Sequence, residues 1–174
     1  MESNIAGAAT FYQYKLLKKI NWPLYMTRIF IALPILCLIA ETGFISPYSI
    51  LYFLLAAPVM FWIQYVISRS VLLISGYPLA KRWRILFRIP WIGYLTDQYV
   101  SCRIFRKVLL HNFWIGLCIS AVFILWSPPA FTVSLTVWHL WFLLPRLYVM
   151  LRLRGLQKDG MLKLNPADAS YYAQ

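Results

Sequence analysis

Long runs of apolar residues, separated by short polar breaks, dominate the chain and predict an all-α integral membrane protein. The runs cover residues 24–45, 50–67, 108–126 and 130–151. A helix needs about 20 apolar residues to cross the roughly 30 Å of hydrocarbon in a bilayer. Serine and proline clusters, which mark turns, separate the first pair of runs at 46–49 and the second pair at 127–129. The pattern predicts about four transmembrane helices, arranged as two hairpins.

The segment between the two predicted hairpins mixes basic and apolar residues, and it predicts an amphipathic helix in the membrane interface. On a helix over KRWRILFR (81–88), Lys81, Arg84 and Arg88 share one face, and the apolar residues share another, namely Trp83, Leu86 and Phe87. We expect the basic side chains to contact the membrane surface or a partner. They are Lys81, Arg82, Arg84, Arg88, Arg103, Arg106 and Lys107.

Both ends of the chain are more polar than its middle. Residues 1–23 are predicted as a cytoplasmic amphipathic segment, lying on the membrane as a short helix or forming an ordered tail. Residues 152–174 are predicted as a partly ordered cytoplasmic tail. The first hairpin then covers residues 24–69, the basic segment 70–107 and the second hairpin 108–151. Residues 71–80 are apolar but too few to cross, so they extend the second helix, lie in the interface or re-enter the membrane.

Composition supports lipid rather than water as the surrounding medium. The chain is 61% hydrophobic and 13% charged, with a mean hydropathy of +0.66. Soluble domains carry about 25% charged residues. A water-soluble fold with this composition would expose large apolar patches and would aggregate.

The distribution of charge predicts the orientation of the helices. The chain has 17 Lys and Arg against 5 acids, a formal net charge of +12, and neither predicted outer turn contains a basic residue. Basic loops are retained in the cytoplasm, so we expect both termini and the basic segment there, in a bacterial inner (plasma) membrane. Anionic lipids then supply the counter-charge, which removes the need for nucleic acid as a partner. Arg28 and Arg146, near span ends, are expected to snorkel to the headgroups.

Residues that could carry chemistry are few and scattered. No two acids lie close in sequence, and the three cysteines share no short spacing. The nucleotide-binding, hydrolase and metalloprotease motifs are missing from the sequence. The chain is therefore interpreted as non-enzymatic, with no catalytic residue, metal site or cofactor predicted.

Polar and small residues inside the third and fourth spans predict helix packing. Asn112 can bond between helices, and Gly116 and Ser120 allow close helix contact. A haem held by His111 and His139 is an alternative, but their depths differ by roughly 9 Å on straight helices. His139 is more simply a hydrogen-bonding group inside the bundle, and His111 an interfacial residue. A membrane-bound haem or lipid-modifying enzyme is therefore the least favoured hypothesis.

Two hypotheses about function remain from the sequence. The leading one is a small subunit, assembly factor or exclusion- or immunity-type inhibitor of a larger membrane complex. It acts through the basic segment and helix–helix contacts. The alternative is a small oligomeric transporter or channel subunit that uses Glu41, the one acid near the hydrocarbon. Its place beside Thr42, Gly43 and the turn predicts an exposed outer rim for Glu41.

Overall fold

Four helices, each long and apolar enough to cross a bilayer, make up most of the described chain. The computed structural model describes residues 15–77, 83–96, 98–155, 160–166 and 168–173. The helices in these ranges are α1 (Leu24–Phe44), α2 (Ser49–Ile74), α3 (Cys102–Phe123) and α4 (Pro129–Arg152). The strands are β1 (Lys15–Asn21), β2 (Arg84–Arg88), β3 (Trp91–Leu95), β4 (Val100–Ser101), β5 (Met161–Leu164) and β6 (Asp168–Ala173). The length and composition of the helices support an integral membrane protein.

Two helices extend beyond the apolar runs that predicted them. With 26 residues, α2 is about 39 Å long, so its last turns reach past the hydrocarbon. Residues 71–74 continue this helix, which is one of the three expected arrangements, while residues 78–82 lie outside the described chain. Helix α3 begins at Cys102 rather than at Val108, so that its first turns include Arg103, Arg106 and Lys107.

The core of the bundle lies among α2, α3 and α4, and α1 is peripheral. The most extensive helix contacts are those of α2 with α4 and α3, followed by α3 with α4. Helix α1 touches α2 and α4 and buries only Phe30, Pro34 and Glu41. Its remaining surface exposes large apolar side chains such as Ile29, Ile35 and Ile39. Such a surface suits contact with lipid tails or with another apolar helix.

The prediction of an all-α fold is wrong, because the described chain also contains a small amount of β-structure. Four strands form an antiparallel sheet in the order β1-β6-β5-β4, and β2 and β3 form a separate antiparallel pair. We call these six strands the strand layer. Their pairings satisfy backbone groups of segments that are too short or too polar to cross a membrane.

The described part of the N-terminal segment is a strand rather than a surface helix. Lys19 pairs with Ser170 and Ile20 with Ala169, in antiparallel register with β6. Ile20 is buried while the lysines of β1 are exposed. Lysines on the edge strand of a sheet discourage unwanted pairing with other chains. Residues 1–14 of the predicted segment lie outside the described chain.

The C-terminal segment, predicted as a partly ordered tail, supplies two strands to the sheet. Strand β6 lies between β1 and β5, and the ring of Tyr171 is buried. A Cβ at Gly160 would lie 2.2 Å from Cζ of Tyr171, so a side chain at position 160 would displace this ring. Glycine at position 160 therefore makes room for the Tyr171 ring where the chain enters β5.

Residues 84–95 of the basic segment form a β-hairpin in place of the predicted interfacial helix. The residues before Pro90 are too few for a stable helix on their own, and antiparallel pairing satisfies their backbone groups instead. Arg84 pairs with Leu95, and Phe87 with Ile92. Gly93 has φ +122°, a backbone conformation that residues with a side chain rarely adopt. We call residues 84–95 the basic hairpin.

One end of each of the four helices lies at the strand layer. The four-stranded sheet joins β1, which precedes α1, to β4, which precedes α3, and to β5 and β6, which follow α4. The basic hairpin packs against α2 and α4. The turns at 45–48 and 124–128 join the opposite helix ends.

Candidate functional site

A hydrogen-bonded pair of polar side chains joins α2 to α4 in the middle of the bundle. Gln64 and His139 are both buried. Gln64 Nε2 donates to His139 Nδ1 over 3.2 Å and to the His139 carbonyl over 3.1 Å. His139 Nε2 lies 3.2 Å from the carbonyl oxygen of Phe113 on α3, and with Nδ1 as acceptor it is the donor of that bond. Both ring nitrogens of His139 therefore have protein partners that compete with binding of iron.

The residues predicted to pack α3 lie one helical turn apart on its buried face. Asn112 Nδ2 donates to Ser68 Oγ on α2 over 2.8 Å and to the Val108 carbonyl over 3.0 Å. Gly116 lies directly against the His139 ring, where an added Cβ would come 2.1 Å from Cε1. Ser120 is buried, and its hydroxyl donates to the Gly116 carbonyl over 3.0 Å. His111, in contrast, is exposed, and its Nδ1 donates to the Lys107 carbonyl over 2.8 Å.

Glu41 is buried rather than exposed on an outer rim. Its side chain is 4% exposed, because α4 covers it. Ser134 Oγ on α4 donates to Glu41 Oε2 over 2.6 Å and lies 2.8 Å from the Ala130 carbonyl. Glu41 Oε1 is buried with no hydrogen-bond partner in the described chain. A carboxyl group in an apolar bundle with one satisfied oxygen is the kind of group that often has a functional role in membrane helices.

Arg146 does not snorkel to the surface but is buried where α4 meets the basic hairpin. Its side chain is 3% exposed. Nη2 donates to the Ile92 carbonyl of β3 over 2.7 Å, while Nε has no hydrogen-bond partner among the described residues. Gly93 leaves room for the guanidinium, since a Cβ there would lie 2.1 Å from Nη2. This contact ties the hairpin to the bundle.

An aromatic cluster joins the strand layer to the helices. Trp22, just before α1, contacts Trp91 of β3 and Tyr148 of α4, with ring centroids 6.2 and 5.4 Å apart. Trp91 Nε1 also donates to the carbonyl of Asn165, between β5 and β6, over 2.6 Å. On the other side of the hairpin, Tyr94 packs on Tyr65 of α2 with centroids 5.1 Å apart. Burial raises the pKa of the Tyr94 phenol.

The outward strand of the basic hairpin carries exposed basic and apolar side chains together. Arg84 and Arg88 are exposed on β2. Ile85 and Phe87, which alternate with them, are 46% and 78% exposed, and Phe87 also stacks on Phe61 of α2. Among the described strands, β2 pairs only with β3. Lys81 and Arg82, predicted to belong to the same surface, lie outside the described residues.

The other predicted basic residues lie on the first turns of α3. Arg103 and Arg106 line a cavity between α3 and the end of α4. Lys107 is exposed beside them. The structure therefore divides the predicted basic surface into two parts, one on the hairpin and one on α3.

Comparison with known proteins finds no match to a family model, to a curated protein or to a solved structure. The site must therefore be interpreted from its own geometry. Within the described ranges, no three His, Cys, Asp or Glu side chains come together to hold a metal ion.

Two residues that hydrogen-bond between the helices could not be identified from the sequence. Ser68 and Ser134 are unremarkable serines in apolar helices until their partners are known. A serine in a membrane helix usually bonds to its own backbone, and only the fold shows that Asn112 and Glu41 lie opposite.

Replacing Gly116 with alanine should destabilise the bundle by about 1–3 kcal/mol, because the new methyl group collides with a histidine ring held by two hydrogen bonds. Gly43→Ala is the matched control, since a Cβ at this helical glycine meets nothing within 4 Å. Thermal unfolding in detergent should show a lower midpoint for Gly116→Ala only. Equal midpoints for the two variants would contradict the packing described here.

Proposed function

We propose that the chain is a non-enzymatic integral membrane protein that acts by contacting a larger membrane complex, as a small subunit, an assembly factor or an exclusion- or immunity-type inhibitor. In this proposal its four spans form two helical hairpins in a bacterial inner membrane. Both termini and the basic hairpin are in the cytoplasm. The main support for the proposal is the basic hairpin, which Arg146 and Trp91 bond to neighbouring elements and whose outward strand exposes arginines and apolar side chains.

The placement of charge supports this orientation. The described Lys and Arg residues lie in the strand layer, in the helical turns nearest to it or, for Arg154, just after α4, and the turns at 45–48 and 124–128 contain none. In the opposite orientation all these cationic groups would be on the outer face, against the usual distribution in membrane proteins.

The hairpin has the properties of a docking surface rather than of a loose connection. Arg146 and Trp91 hold its inner side, so that it is ordered before a partner arrives. A preordered surface loses less conformational entropy on binding. Its outward strand presents Arg84 and Arg88 on one face. Ile85 and Phe87 point to the other face, where Phe87 stacks on Phe61 and still leaves 78% of its side chain exposed. Aromatic and arginine side chains are the types that dominate binding energy at protein interfaces.

The interior polar groups support a structural use of the spans. Gln64, His139, Asn112 and Ser68 bond to one another or to the nearby backbone between α2, α3 and α4. Hydrogen bonds of this kind stabilise helix association in membranes. The outward faces of α1 and α3 are then available for lipid or for helices of the partner complex.

A second candidate function, proton- or cation-coupled transport in an oligomer, is favoured by the burial of Glu41. The single hydroxyl proton of Ser134 has two acceptors within reach, Glu41 Oε2 and the Ala130 carbonyl. A proton on the Glu41 carboxyl would satisfy both contacts, since the carboxyl could donate to Ser134 while Ser134 donates to Ala130. Buried carboxyls that gain and lose a proton are typical of coupled transporters.

The double variant Arg84→Ala/Arg88→Ala should lose its partner, because it removes both charges from the docking strand. We expect roughly tenfold less partner protein after affinity purification from native membranes, quantified by mass spectrometry. The control Lys15→Ala/Arg28→Ala removes two exposed positive charges elsewhere. Equal recovery of the same partner with both variants, or no partner with the native chain, would reject the proposal.

The transport hypothesis has its own test in proteoliposomes. If Glu41 couples proton or cation movement, Glu41→Gln should abolish flux driven by an ion gradient, because an amide cannot exchange a proton. Asp168→Asn, which changes an acid of the strand layer, should leave the flux intact. Absence of flux above empty liposomes, or unchanged flux in Glu41→Gln, would exclude this function for Glu41.

A further inference from the structure

A cavity of about 490 Å³ opens between the start of α3 and the end of α4. Leu109, Leu153 and Tyr171, all buried, contribute to its floor. Its described lining is otherwise apolar except for arginines, and it contains no acidic residue. The arginines are Arg103, Arg106 and Arg154. The cavity therefore combines positive charge with an apolar wall.

The two helices that form the walls of the cavity, α3 and α4, both place arginine at one end of it and leucine at the other. On α3, Arg103 precedes Leu110 by about 10 Å along the helix axis. Helix α4 runs the opposite way, so its Leu147 lies deep and Arg154, just after its end, lies at the strand layer. Leu110 and Leu151 are 43% and 65% exposed, so this side of the cavity is open to the surroundings of the bundle. Both walls thus place arginine at the water end and leucine toward the hydrocarbon.

The N-terminus of α3 adds positive potential at the level of the arginines. Its first turn contains no acid, and Ser101 makes no capping hydrogen bond with its side chain. The N–H of Cys102, the first residue of α3, is bonded to the Gly160 carbonyl over 2.9 Å, but the following turns and the dipole of a helix N-terminus still favour phosphate groups. Here they reinforce the arginine charges at the mouth of the cavity.

We propose that this cavity binds one anionic glycerophospholipid, with its phosphate between the arginines and one acyl chain along Leu110, Leu147 and Leu151. The polarity of the cavity matches that of such a lipid, which is charged at one end and apolar over the rest of its length. Basic pockets between helices on the cytoplasmic side are known to hold anionic headgroups. A soluble phosphate would leave the leucine wall uncovered. The proposal does not depend on the nature of the partner complex.

Native mass spectrometry of the full-length chain in detergent tests the proposal directly. The probes are dioleoylphosphatidylglycerol and dioleoylphosphatidylcholine, which share their acyl chains and differ in headgroup charge. We expect one phosphatidylglycerol to bind preferentially, and Arg106→Ala/Arg154→Ala to weaken its binding roughly tenfold or more. The control Lys15→Ala/Arg28→Ala removes as much charge away from the cavity and should bind like the native chain.

Three results would overturn the proposal. Equal binding of the two lipids would remove the role of the headgroup charge. An equal loss in the control variant would show diffuse attraction to surface charge rather than a site. Displacement of the lipid by inorganic phosphate at similar concentration would show a soluble-anion site instead. Arg106→Gln alone gives a second measurement if the double variant does not fold, and it should weaken phosphatidylglycerol binding several-fold while phosphatidylcholine binding stays unchanged.

Discussion

Hydrocarbon offers no hydrogen-bond partner, and this constraint accounts for the main features of the fold. A polar group within a span is costly unless it finds a partner inside the bundle or reaches the interface, and among the described residues Glu41 Oε1, Asn112 Oδ1 and Arg146 Nε are buried exceptions. Gln64 and Asn112 use both of their amide protons in this way. Their bonds fix the rotation of α2, α3 and α4 about their axes, and Gly116 then allows the His139 ring to enter the contact. The peripheral α1 contacts α4 through the ring of Phe30 stacked on Trp141, the hydrogen bond from Trp141 Nε1 to the Phe30 carbonyl, and Glu41.

The same constraint explains why the β-structure is gathered at one end of the helices. Edge strands expose backbone groups that only water, headgroups or another chain can satisfy. Lysines on β1 suit an edge in contact with water. The exposed strand of the basic hairpin instead carries Phe87 and Ile85 between its arginines, which suits the docking surface proposed above. Arg146 links the helical bundle to the basic hairpin. Its guanidinium is buried at the end of the bundle, and its hydrogen bond to Ile92 holds the hairpin.

The sequence predicted the four long helices because twenty-residue apolar runs have few alternative structures. It did not predict the strands, for different physical reasons. In the KRWRILFR segment, the mixture of basic and apolar residues fits a short helix as well as a strand. Pro90 and Gly93 indicate a hairpin only once the pairing of the two strands is known. The pairing of β1 with β6 joins opposite ends of the chain, which no local pattern encodes. The burial of Glu41 and Arg146 likewise depends on neighbours from other elements.

The positions of Asn112, Gly116 and Ser120 on a buried face could be anticipated, because small and polar residues in apolar helices usually face other helices.

The proposed orientation places the strand layer, including the basic hairpin, on the cytoplasmic side of a membrane that the four helices cross. Labelling of single cysteines with a membrane-impermeant maleimide tests it most directly, in a chain whose Cys37, Cys102 and Cys118 are replaced by alanine. A cysteine at Tyr48, in the turn between α1 and α2, should react in intact cells. A cysteine at Arg88, in the basic hairpin, should react only after the membrane is permeabilised. Reaction of the Arg88 position in intact cells, with protection of the Tyr48 position, would show the opposite orientation.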